Sequence, residues 1–92
     1  MEYIETTYEE DELAWVSPVI TIHRDIYLMV TLKKKGKLVI RQDAGDGEMV
    51  RVPIKQHKDT VQFFLRMQVN PDTVKLQIFT STEPKEIKYA YI

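Results

Sequence analysis

Asp43, Asp46 and Glu48 fall within six residues and are interleaved with Gly45 and Gly47. Carboxylates so close together raise the chemistry of a hard cation. Calcium takes about six to eight oxygens, and the helix–loop–helix calcium loop supplies them from its first, third and fifth places, with glycine sixth and glutamate twelfth. Counted from Asp43, the third and fifth places are Gly45 and Gly47, which offer no side-chain oxygen. A hairpin turn accounts for every residue of the stretch, so no metal site is assigned. His23 and His57 are the only histidines, and there is no cysteine. A thiolate metal site and a disulfide framework are therefore both excluded.

Nucleophilic and acid–base chemistry fare no better. His23-Arg24-Asp25 repeats the tripeptide that opens the catalytic loop of protein kinases, where an asparagine follows the aspartate by five residues. Here that place is Val30, and neither a glycine-rich phosphate loop nor an Asp-Phe-Gly triplet is present. A polar corner in which Asp25 neutralises Arg24 or His23 explains the triplet. The only serines, Ser17 and Ser81, lie outside any Gly-x-Ser-x-Gly elbow. Asn70 precedes Pro71 and is no glycosylation acceptor. The chain is expected to be no enzyme, to carry no cofactor and to have no small-molecule substrate.

What remains is surface chemistry. In VQFFLRMQV, alternation puts Val61, Phe63, Leu65, Met67 and Val69 on one face and Gln62, Phe64, Arg66 and Gln68 on the other. In VKLQIFT, Val74, Leu76 and Ile78 oppose Lys75, Gln77 and Phe79. Aromatic rings among cations and amides suit a single-stranded nucleic-acid platform, where stacking is worth ~1–3 kcal/mol per base. They suit protein docking equally. The candidate binding face comprises Phe64, Arg66, Lys75, Phe79, Arg41, Arg51, Lys33, Lys37 and Lys55.

These side chains need a scaffold of strands. Apolar residues recur with period two, β-branched and aromatic residues are frequent, and turn residues interrupt the chain at short intervals, the pattern of a sandwich or barrel. Two apolar sets, Ile26, Leu28, Val30, Leu32 and Leu38, Ile40, Gln42, align if Lys33 pairs with Lys37, with Gly36 left-handed in the turn. Pairing Ala44 with Glu48 then aligns Ile40 with Val52, sets Arg41 opposite Arg51 and makes Gly47 left-handed. This predicts a three-stranded meander. A second hairpin is predicted through Asn70-Pro71-Asp72-Thr73, with Met67 opposite Leu76, Leu65 opposite Ile78 and Phe64 opposite Phe79. PVITI and EIKYAYI supply further strands. His23-Arg24-Asp25 is a bend or a corner, Glu83-Pro84-Lys85 a turn, and a crossover is expected near KQHKDT. Pro53 points to an edge strand. A short helical turn near TTYEEDELAW, capped by Thr6 or Thr7, is the one helical expectation.

The fold expected is all-β, an antiparallel two-sheet sandwich of six to seven strands, immunoglobulin-like or jelly-roll-like. A small closed barrel of the oligonucleotide-binding kind is the alternative. The 92 residues suffice for one core. Charge divides them: residues 1–12 hold six acids and no base, residues 13–92 eight acids and all thirteen bases. An acidic arm over 1–12, solvated and partly disordered, or else covering the body's own basic face or docking on a basic neighbour, is thus expected before a β domain over 13–92. No signal peptide or membrane span is read, and a cytoplasmic or virion-associated setting is favoured.

Two functions follow as expectations. The first is a non-enzymatic structural or protein-interaction module, docking by an outer sheet face or edge strands into a homo-oligomer or a larger assembly such as a phage or cell-surface particle. The second is a small single-stranded nucleic-acid-binding domain. The chain's pI of about 6.1 weighs against it, since such domains usually exceed ~9.

Overall fold

The computed structural model describes residues 1–43, 49–52, 55–57, 60–68 and 73–92. Their strands are β1 (Glu2–Tyr3), β2 (Thr7–Glu9), β3 (Ala14–Val16), β4 (Ile20–Ile22), β5 (Ile26–Leu32), β6 (Leu38–Asp43), β7 (Met49–Val52), β8 (Lys55–His57), β9 (Thr60–Met67), β10 (Val74–Thr80) and β11 (Pro84–Tyr91). Six of them have four residues or more, and the others are two- and three-residue pieces. Alternation is the reason for these strands. Ile26, Leu28, Val30 and Leu32 are buried along β5, as are Val74, Leu76 and Ile78 along β10. Each strand thereby turns one apolar face inward and its alternate residues outward.

The strands form two antiparallel sheets facing each other across one apolar core, a β-sandwich. The first sheet runs β1-β11-β5-β9-β8, and the second runs β2-β3-β10-β6-β7, with β4 also on β10. Among the described residues neither sheet closes on itself, so the barrel alternative does not apply. The core combines Ile26, Leu28, Val30, Leu32, Val61, Phe63 and Ile87 from the first sheet with Ile22, Leu38, Ile40, Leu76 and Ile78 from the second.

Two expected hairpins are absent. β5 lies in the first sheet between β11 and β9, whereas β6 lies in the second between β10 and β7. Lys33 and Lys37 are thus not paired across a hairpin, and the three-stranded meander reduces to β6–β7. That hairpin forms two residues out of the expected register, with Ile40 opposite Val50 and Val39 opposite Arg51. Likewise β9 and β10 belong to different sheets, so Met67, Leu65 and Phe64 face Ile26, Leu28 and Met29 of β5 instead of β10. The crossover expected near KQHKDT falls just before it, between β7 and β8, and within the stretch His57 pairs with Thr60. Pro84 opens β11 opposite Leu32 and is followed by a bulge, a strand start that tolerates the missing N–H. The expectations for Gly45, Asp46, Gly47, Glu48, Pro53 and the turn at 69–72 lie outside the described residues.

The N-terminal segment is strand, not helix. β2 and β3 pair through Tyr8 and Trp15, whose rings meet edge to face at 5.3 Å. A short helix has to carry an unfavourable nucleus unaided, while Thr7-Tyr8 gains a cross-strand partner at once. β1 joins the opposite sheet at β11, and Ile4 N–H donates to Ile87 C=O at 2.9 Å. Residues 1–9 thus reach an edge of each sheet.

Ser17 joins β3 and β4, which lie end to end on the same side of β10. Its N–H donates to Ile78 C=O at 2.9 Å, its Oγ accepts from Ile78 N–H at 2.8 Å, and the hydroxyl donates to Pro18 C=O at 2.9 Å. A side chain only 2% exposed therefore takes the place of a ladder bond where the edge strand breaks. Ser17→Ala leaves the buried Ile78 N–H without its acceptor, and urea unfolding is expected to show a loss of ~1–3 kcal/mol.

The connections at 33–37 and 81–83 run side by side at one end of the sandwich. Lys33 N–H donates to Glu83 C=O at 3.1 Å, Ser81 N–H to Lys37 C=O at 3.0 Å, Lys37 N–H to Ser81 Oγ at 2.7 Å and Thr82 Oγ1 to Lys34 C=O at 3.0 Å. Each corner supplies the hydrogen-bond partners that a hairpin ladder would have supplied.

Candidate functional site

The nine residues of the expected binding face do not share a surface. By register, Phe64, Arg66 and Lys55 belong to the first sheet, and Lys75, Phe79, Arg41 and Arg51 to the second. Lys33 sits on the corner, where its Nζ meets Glu83 at 3.0 Å. Lys37 lies near a small hollow of about 190 Å³ shared with Leu13, Arg41 and Phe79. The division follows from β9 and β10 occupying different sheets, which places Phe64 and Phe79 on opposite sides of the molecule.

The second sheet covers its own aromatic. Phe79 points outward between Val39 and Val16, yet is only 6% exposed. The Arg41 guanidinium lies over its ring at 4.2 Å, and Glu12 holds that guanidinium through both carboxylate oxygens at 3.3 and 3.1 Å. Glu12 is delivered by the turn at 10–13, closed by bonds from Glu12 N–H to Glu9 C=O and Leu13 N–H to Glu10 C=O, with Leu13 at φ 51°. Of the acidic segment's residues, then, Glu12 meets the body's cationic face. Arg41 stands opposite Met49 and Arg51 opposite Val39, so the two arginines are offset along the strands. The expected like-charge pair, and the anion it called for, fall away.

The first sheet leaves its aromatic uncovered. Phe64 is 62% exposed and Tyr27 37%, and their rings stack at 5.3 Å with 26° between planes. Around the pair lie Met29 opposite Phe64, Lys88 opposite Met29, and Tyr3 opposite Lys88. Lys88 Nζ stands 6.0 Å from the Tyr3 ring centre. Two ion pairs lie on this face, Arg66 with Asp25 at 3.3 Å and Lys88 with Glu86 at 3.1 Å. A hollow of about 270 Å³ lies across β5, between Gln62 and Phe64 on one side and Glu86 and Lys88 on the other, floored by Met29 and Thr31.

Tyr27 is the residue that sequence reasoning left out of the candidate face. Its outward parity is legible, but its partner strand β9 is distant in sequence, so nothing local shows that it stacks on Phe64. The His23-Arg24-Asp25 triplet is a corner between sheets. His23 packs on Tyr91 at 4.9 Å between ring centres, Arg24 lies 4.9 Å over the same ring, and Asp25 pairs with Arg66. Among the described residues no three histidine, cysteine or acidic side chains converge as metal ligands. Among them, too, no helix is long and apolar enough to cross a membrane. Comparison with known proteins finds no matching family model, no matching curated protein and no matching solved structure.

Proposed function

We propose that the chain is a non-enzymatic structural or protein-interaction module, and that it docks through the outer face of the first sheet into a homo-oligomer or a larger assembly, for which a phage or cell-surface particle is one setting. The observation that carries this reading is the contrast between two outward aromatics. Phe79 is roofed by Arg41 and the turn that holds Glu12, whereas Phe64, stacked on Tyr27, stands largely exposed. An apolar centre ringed by paired charges is the anatomy of a docking surface, where a buried aromatic dominates and a polar rim excludes water.

The test is Phe64→Arg. Loss of a central aromatic hot spot costs ~2 kcal/mol or more, so association is expected to weaken at least ~30-fold. Light scattering and affinity capture read this, while circular dichroism should show the melting temperature moving by only a few degrees. A strict monomer at high concentration from which no partner is ever recovered counts against the proposal.

The stacked Tyr27–Phe64 pair beside Arg66 also favours the second reading, a platform for single-stranded nucleic acid. Against it, Arg66 and Lys88 already hold carboxylates, and phosphate would have to displace them. Retention on single-stranded DNA at low salt, lost as salt rises, would turn the choice toward it.

A further inference from the structure

We infer that the occupant of the first sheet's outer face is a second copy of this chain, docked about a two-fold axis that runs along β5. The inference rests on the docking-face reading and specifies its partner. Knob and hollow lie on one surface: Phe64 projects from β9, and the 270 Å³ hollow spreads across β5 to Glu86 and Lys88 on β11. A two-fold interface needs that arrangement, because residue i must meet residue j while j meets i. Rotation about β5 lays β9 of one copy over β11 of the other. Phe64 then enters the partner copy's hollow against the stem and ammonium of Lys88, a contact that suits an aromatic face. Gln62 comes over Glu86, where its amide N–H groups can donate to the carboxylate. Arg66 comes over the small Ala90, which leaves it room. Met29 meets Met29.

On the three central strands β11, β5 and β9, Arg66 pairs with Asp25 and Lys88 with Glu86, so the centre of the face meets an identical centre without like-charge repulsion. The strands of this sheet, with two, eight, seven, eight and three residues, give roughly 450 Å² per copy at ~4.8 Å between strands and ~3.4 Å per residue. About 900 Å² in total is the size of a weak, reversible contact and suits a dissociation constant of roughly 0.1 mM.

The experiment is sedimentation velocity together with amide NMR of the full chain, diluted from ~1 mM to ~1 µM. The expected result is a monomer–dimer equilibrium with one set of signals. Dilution shifts should centre on Tyr27, Met29, Phe64 and Lys88, and a mixed-label sample should give intermolecular contacts from the Phe64 ring to Lys88. Phe64→Arg should weaken the dimer at least ~30-fold. A monomer throughout the range overturns the inference, as do dilution shifts confined to the second sheet or to strand edges. If the chain is monomeric yet captures a different protein through a Phe64-dependent contact, the inference fails and the docking-face reading stands. If neither association occurs, both fail. The wild-type dilution shifts decide the matter even if Phe64→Arg proves insoluble.

Discussion

Replacing Ile78 by alanine is expected to lower stability by about 3–4 kcal/mol. Ile78 is fully buried at the middle of β10, opposite Ile40 of β6, with its backbone N–H on the Ser17 hydroxyl. Its branched side chain points into the space between the sheets, where neighbours anchored on both sides have little freedom to collapse into a cavity. A chain of 92 residues has a total stability of ~5–14 kcal/mol, so the loss is a large share of it. Each kcal/mol moves the midpoint of a domain this size by ~4–8 °C, and a fall of roughly 15–25 °C is expected in a thermal melt. Val39→Ala, on the outer face of the neighbouring strand and half-buried, is the matched control and should cost under ~1 kcal/mol. Similar losses for the two variants would mean that the inner face is not the packed one.

The inner face was legible because parity is local. Ile26, Leu28, Val30 and Leu32, Leu38 and Ile40, and Leu76 and Ile78 were each expected on core-facing sides, and all are buried. Strand pairing was not legible, and parity itself is the reason. In a sandwich both inner faces look into one core, so a chain that turns back within a sheet and a chain that crosses to the opposite sheet satisfy the same pattern. Residues 33–37 can do either. Five residues reach up to ~17 Å, and the sheets are only ~10 Å apart. What selects the crossing is the second corner at 81–83, distant in sequence, which meets the backbone groups of the first. The β6–β7 hairpin was expected correctly in its existence and two residues out in its register, a shift that keeps every side chain on its face.

The candidate site failed at the same step. Phe64 was rightly expected to point outward, and its exposure and its neighbour Arg66 fit the reading of VQFFLRMQV. Joining it to Phe79 depended on the hairpin that does not form. Phe79 also points outward by parity, but burial on that side comes from Arg41 and from Glu12, which lies far away in the chain. Charge counting gave the acidic segment and the basic body as two totals. It could not show that one carboxylate, through one guanidinium, closes one sheet face and leaves the other open.

Gly36→Ala separates the hairpin account of TLKKKGK from the corner account, and it is expected to cost ~1–3 kcal/mol. In a three-residue hairpin turn the glycine would be left-handed, and alanine would lose ~1–2 kcal/mol through its own backbone alone. In the structure Gly36 is outside the left-handed region, and glycine is needed for space. A Cβ there would collide with Thr82 Oγ1 and lie 3.0 Å from Thr82 Cγ2 and Ser81 Oγ. Thr82 cannot simply turn away, because its hydroxyl donates to Lys34 C=O on the opposite corner. The two accounts give similar single-variant losses but different couplings. Thr82→Ala removes both colliding atoms and forfeits one exposed hydrogen bond, at a cost of ~0.5–1.5 kcal/mol. Added to Gly36→Ala, it should relieve much of the collision, so the double variant should be ~1 kcal/mol or more better than the sum of the two losses. A strained backbone at residue 36 would be indifferent to the side chain at 82, and the losses would then add. Urea unfolding of the four proteins measures the difference, and simple additivity would reject the packed corner and with it the crossing of the chain between sheets at these lysines.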